Sequence, residues 1–127
     1  MTKIETSNAP GAIGPYSQGM VSGKLVFTSG QIPLDPATGA IVGDTIEAQS
    51  EQALKNLQAV LEAGGAALAT VVKTTCFLAD MGDFAAFNGV YAKFFTGVCP
   101  ARSCVAVKAL PKGVLVEVEA VAEVVGE

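Results

Sequence analysis

The sequence has no histidine. That single absence removes Ser-His-Asp and Cys-His nucleophile arrangements, imidazole general-base chemistry and the usual zinc sites. Arginine is almost missing too: Arg102 is the only one in 127 residues. The lysines at positions 3, 24, 55, 73, 93, 108 and 112 are scattered, and the net charge is −4. No basic stripe exists to neutralise several phosphates, so no nucleic-acid partner is expected. Cysteine occurs only at 76, 99 and 104, with no CxxC, which reads as free thiols in a reducing compartment. There is no charge-free run of 18 apolar residues, hence no expected membrane span. The opening MTKIETSNAP lacks the apolar core of a secretory signal, and a cytoplasmic location is the expectation. P-loop, GxGxxG and metal-ligand clusters are missing as well, so neither a phosphate cradle nor a metal site is expected.

What is present is apolar. Half the residues are hydrophobic, a large share for one small domain, residues 1–127, to hide alone. Self-association is therefore expected. NAPGAIGP (8–15) and QIPLDPATG (31–39) read as Pro/Gly loops. YSQGMVS and KLVFTSG read as two short strands joined at Gly23. Asp44 and Glu47 fit a D-x-x-E capping box, followed by a helix over 45–63. Ile46, Ala53, Leu57, Val60 and Leu61 form its apolar face, and Gly64-Gly65 ends it. VVKTTCFLA (71–79) predicts a buried strand. Asp83 is placed to cap a second helix with a stripe of Phe84, Phe87, Tyr91, Phe94 and Phe95. Strands over 102–109 and 114–125 flank a turn at LPKG. The order ββαβαββ predicts an α+β fold, a mixed sheet with two helices on one face.

The last two strands are expected to form a hairpin. Val114, Val116, Val118, Ala120, Ala122 and Val124 make one apolar face, and a one-residue slip would turn it outward. In the matching register Arg102, Cys104, Glu117 and Glu119 share the opposite face. A guanidinium suits a planar carboxylate, and a glutamate can place a water or pass a proton. The same pattern equally allows a structural ion pair between Arg102 and either glutamate. Weaker candidates accompany them. Tyr16 has the ring and hydroxyl to close a pocket or to pack a corner. Ser29-Gly30 offers free backbone N–H groups or a simple turn. Asn88 lies mid-helix beside the aromatic stripe, or faces solvent.

GPYSQG (14–19), TSGQIPLDPATG (28–39), VVKTTCFLADMGDFAAFN (71–88) and PARSCVAVKALPKGVLVEVEAVA (100–122) resemble the Rid family, in its RidA branch. These are reactive enamine/imine deaminases, once described as translation inhibitors or endoribonucleases. The resemblance implies a chorismate-mutase-like homotrimer with a central β-barrel-like core and sites between subunits. It implies hydrolysis of 2-aminoacrylate, 2-aminocrotonate and their imines to 2-keto acids and ammonia, without a cofactor. Arg102 would then hold the substrate carboxylate and Glu117 would position the water. Main-chain groups of Gly30 and Cys104 would contact the ligand, and Tyr16, Ser29 and Asn88 would line the pocket. A trimer that only binds 2-keto or amino acids, or a ribonuclease, are the competing expectations.

Overall fold

The computed structural model describes residues 1–126. Six strands alternate with two helices: β1 (Thr2–Ile4), β2 (Gly19–Ser22), β3 (Leu25–Thr28), α1 (Ile46–Ala63), β4 (Val71–Leu78), α2 (Phe84–Phe94), β5 (Ala101–Ala106) and β6 (Val116–Glu123). They form one sheet in the order β1-β2-β3-β6-β4-β5. Only β4 and β5 run parallel. A parallel pair needs a crossover, and α2 supplies it. The α+β expectation holds, with β1 added; three residues at the edge carry too little alternation to announce a strand.

Both helices cover one face. Leu54, Leu57, Val60 and Leu61 of α1 and Phe87, Val90 and Tyr91 of α2 are buried. They pack over Val26, Cys76, Leu78, Val116, Val118, Ala120 and Ala122 of the sheet in one core cluster. The start of α1 differs from expectation. Its cap is Thr45, in extended backbone, whose Oγ1 accepts from Ala48 N at 3.2 Å. The Asp44–Glu47 box does not form; Glu47 instead places a negative charge in the first turn. The helix ends as the Gly64-Gly65 pair predicts. Ala66 N donates to Leu61 O and Gly65 N to Glu62 O, with Gly65 at φ +87°. That is a Schellman closure, which requires a residue tolerant of left-handed backbone. Asp83 occupies the cap position of α2 but makes no side-chain capping bond. Asp80 caps the short turn before it, accepting from Gly82 N at 2.7 Å.

The expected β5–β6 hairpin is absent. β4 lies between them, parallel to β5 and antiparallel to β6. Burial explains the order. Val71, Thr74, Cys76 and Leu78 of β4 are buried, so this strand takes an interior place with ladders on both sides. No residue of β5 is fully buried, and it takes the edge, where unpaired backbone is tolerated. The consequence for the side chains is direct. Arg102 pairs with Thr74 and Cys104 with Cys76, on the helix-covered face. Glu117 pairs with Phe77 and Glu119 with Thr75, on the other face. The four groups do not share a face.

Candidate active site

Arg102 is half-buried at the sheet edge, against α2. Its Nη1 donates to Asn88 Oδ1 at 2.8 Å. The guanidinium carbon lies 4.8 Å from the ring centroid of Tyr91 and 5.4 Å from that of Phe84. Phe84, Asn88 and Tyr91 stand at i, i+4 and i+7, so one helix face presents all three to the strand. Tyr91 in turn shares a 2.8 Å hydrogen bond with Thr74. Burial pushes the Tyr91 phenol up, which keeps it a neutral hydroxyl. Asn88 is therefore not a solvent-facing helix residue; it is bonded to the arginine. Neither ion pair among the described residues involves Arg102. Its charge is supported by π-faces and an amide oxygen, and no carboxylate neutralises it.

Cys104 lies two residues along the same strand and is partly buried. Burial pushes its thiol up, and nearby Arg102 offsets this in part. Beside it, Cys76 is fully buried and pushed up to about 12, chiefly by desolvation. Neither thiol is activated. β5 being an edge strand, part of the Cys104 neighbourhood's backbone has no ladder partner.

The second group lies on the opposite face. Glu117 is half-buried, and its carboxyl is held above the ordinary 4.5, first by burial and then by the neighbouring Glu119 charge. Gln31 brackets the next residue of β6: Gln31 N donates to Val118 O at 2.7 Å and Val118 N to Gln31 O at 3.0 Å. This bridge lays Gly30 against the Glu117 side chain. A Cβ at position 30 would collide with the carboxylate, its carbon being 2.7 Å away. The glycine thus leaves the carboxylate its place, and a side chain there would push it aside. Ser29 is structural in its side chain, since its Oγ donates to Ser17 O at 2.6 Å and fastens the loop before β2. Tyr16 is exposed, with its hydroxyl accepting weakly from Ile13 N at 3.4 Å. Tyr16 and Gly30 line a groove of about 350 Å³ with Ile13, Ile32, Leu34 and Lys112.

The sequence-predicted residues therefore sort into two groups. Arg102, Asn88 and Cys104 form one; Glu117, Gly30, Ser29 and Tyr16 form the other. Tyr91, Phe84 and Thr74 were not among the candidates. The helical spacing of an amide and two rings facing the strand that carries the lone arginine is the signal that marks them. Among the described residues no cluster of three or more acidic or cysteine side chains is arranged to hold a metal ion, and no helix is long and apolar enough to cross a membrane.

Residues 6–124 match the family described as Endoribonuclease L-PSP. The chain belongs to that family, the RidA/YjgF group. It is 52% identical to the 2-iminobutanoate/2-iminopropanoate deaminase of Salmonella typhimurium over 122 residues, covering 94% of each chain. It is 56% identical to the RutC family protein y4sK of Sinorhizobium fredii over 118 residues, covering 93% of this chain and 94% of that one. The crystal structure of E. coli TdcF with bound serine superposes with a TM-score of 0.93 at 47% identity, covering 97% and 98% of the two chains. Family members thus carry deaminase, endoribonuclease and RutC names on one fold.

Proposed function

We propose that the protein hydrolyses small reactive 2-imino and 2-enamino acids to 2-keto acids and ammonia. The observation that carries this reading is the lone guanidinium without a carboxylate partner, oriented by two rings and an amide. Such a group is a receptor for a planar anion, and a 2-imino acid carries one next to its reactive carbon. The deaminase name of the Salmonella typhimurium relative supports the same substrate class.

The chemistry asks little of the protein. The enamine tautomerises to the imine, whose C2 is electrophilic once the nitrogen is protonated. Water adds through oxygen to C2 and gives a carbinolamine. The C–N bond then breaks, ammonia leaves with its electron pair, and the hydroxyl proton is released as C=O forms. Arg102 holds the carboxylate and fixes C2. Glu117, whose carboxyl is held above its ordinary value by burial, orients the water and accepts or returns a proton. No histidine, thiolate or metal enters these steps.

Arg102 and Glu117 occupy opposite faces of one sheet, so a site using both is built from two copies. The uncovered face carries Leu25, Phe27, Phe77, Val105 and Val121 among its polar residues, which suits burial against another sheet. We therefore read the active assembly as a cyclic homotrimer with a site at each junction, Arg102, Asn88 and Cys104 from one subunit and Glu117, Gly30, Ser29 and Tyr16 from its neighbour. The test is to generate 2-iminobutanoate in situ and follow its decay. Wild type should accelerate the decay. Arg102→Ala should lose about 100-fold or more in kcat/KM while staying folded. No acceleration by folded wild-type oligomer would reject the reading. A binding module without turnover is the second reading, favoured by the serine in the TdcF structure. Tight binding of 2-ketobutyrate with no deaminase rate would establish it. RNA cleavage abolished by Arg102→Ala would revive the endoribonuclease name.

A further inference from the structure

The way Arg102 is held goes beyond naming it as the anion receptor. A surface arginine samples many rotamers, and ordering it on ligand binding weakens affinity. Here the order is built in. Tyr91 is only 7% exposed and its ring packs against two others, with Phe95 at 4.5 Å and Phe87 at 5.6 Å between centroids. Its hydroxyl is fixed by Thr74, which is 1% exposed and is the β4 residue directly opposite Arg102. The ring therefore cannot tilt without breaking that bond or disturbing two neighbours. Phe84 supplies a second ring at the outer side, and Asn88 engages Nη1.

We infer that Tyr91, backed by Thr74 and assisted by Phe84, is a positioning residue for the substrate carboxylate. It sets the plane of the Arg102 guanidinium and leaves its free edge for a bidentate anion. The role acts entirely through Arg102 and rests on that residue being the carboxylate receptor. Uniform holding of the carboxylate in ground and transition states places the effect in KM and in ligand affinity more than in kcat.

The experiment measures binding of 2-ketobutyrate by calorimetry, and KM and kcat for 2-iminobutanoate, with each variant well below its melting temperature. Tyr91→Leu should weaken 2-ketobutyrate binding about tenfold and raise KM similarly, with kcat within about twofold. Tyr91→Phe keeps the ring and should restore affinity to within about twofold of wild type, although the orphaned Thr74 hydroxyl lowers its melting temperature. Phe84→Leu, at a half-buried position, should weaken binding about threefold, and it decides the matter if Tyr91→Leu does not fold. Arg102→Ala is the control and should abolish binding. If it abolishes binding while Tyr91→Leu and Phe84→Leu bind like wild type, the positioning role is overturned and the receptor reading survives. Wild-type binding by Arg102→Ala would overturn both.

Discussion

Arg102 was legible because it is unique, and Glu117 because it alternates with buried valines. Their supports were not. An aromatic at helical spacing reads as core, and Tyr91 is core; that its ring also carries a cation depends on which strand lies beneath α2. Glu117 makes a sharper prediction. A carboxyl whose folded-state pKa is raised above its ordinary 4.5 binds its proton more tightly when folded. Its contribution to stability is therefore full below that value and is lost as pH rises through the folded-state pKa. Glu117→Gln should melt higher than wild type at neutral pH, and the difference should vanish on acidification below about 4.5. A lower melting temperature at neutral pH would show that the carboxylate is satisfied in the assembly. Ser50, fully buried in α1, has a hydroxyl with no hydrogen-bond partner. Ser50→Ala should stabilise the protein by up to about 1 kcal/mol in denaturant unfolding. A loss of more than about 1 kcal/mol would mean that the hydroxyl is bonded.

At the level of elements, local chemistry was readable where it is self-contained. The Gly64-Gly65 ending of α1 needs only neighbours in sequence, and it formed as predicted. Its start was misplaced by one residue because Asp44 and Thr45 are both good caps, and only backbone geometry chooses between them. Thr45→Ala should cost about 1 kcal/mol, whereas Asp44→Ala should cost little, as thermal denaturation of the two variants would show. An equal cost would restore the D-x-x-E box. The hairpin error has a different origin. Adjacent apolar strands across LPKG satisfy every local rule for pairing. The alternative is decided by a competition over the whole sheet, in which β4, as buried as β6, takes the interior place beside it and leaves the less buried β5 at the edge. Alternation specified the two faces of β6 correctly but turned β5 over: the hairpin expectation set its odd, apolar positions toward the core, whereas Val105 is exposed and Arg102 and Cys104 lie on the helix-covered face.

At the scale of the whole molecule, that sheet order is what sets Arg102 and Glu117 on opposite faces. One chain carries Arg102 on the helix side and Glu117 on the bare side, and the bare side exposes Phe27 and Val105. Under the proposed trimer, association would hide the apolar surface and join Arg102 to a neighbour's Glu117 in one event, coupling activity to oligomerisation. Subunit mixing tests this most directly. Arg102→Ala and Glu117→Gln, each inactive alone, would be unfolded together and refolded at equal concentration. In a cyclic trimer with one arginine and one glutamate from adjacent subunits at each site, about a quarter of the sites regain both groups. The account predicts recovery of about that share of wild-type deaminase activity. Mixed trimers with no activity above the separate variants would contradict it, placing both groups in sites within single chains or removing one of them from the chemistry.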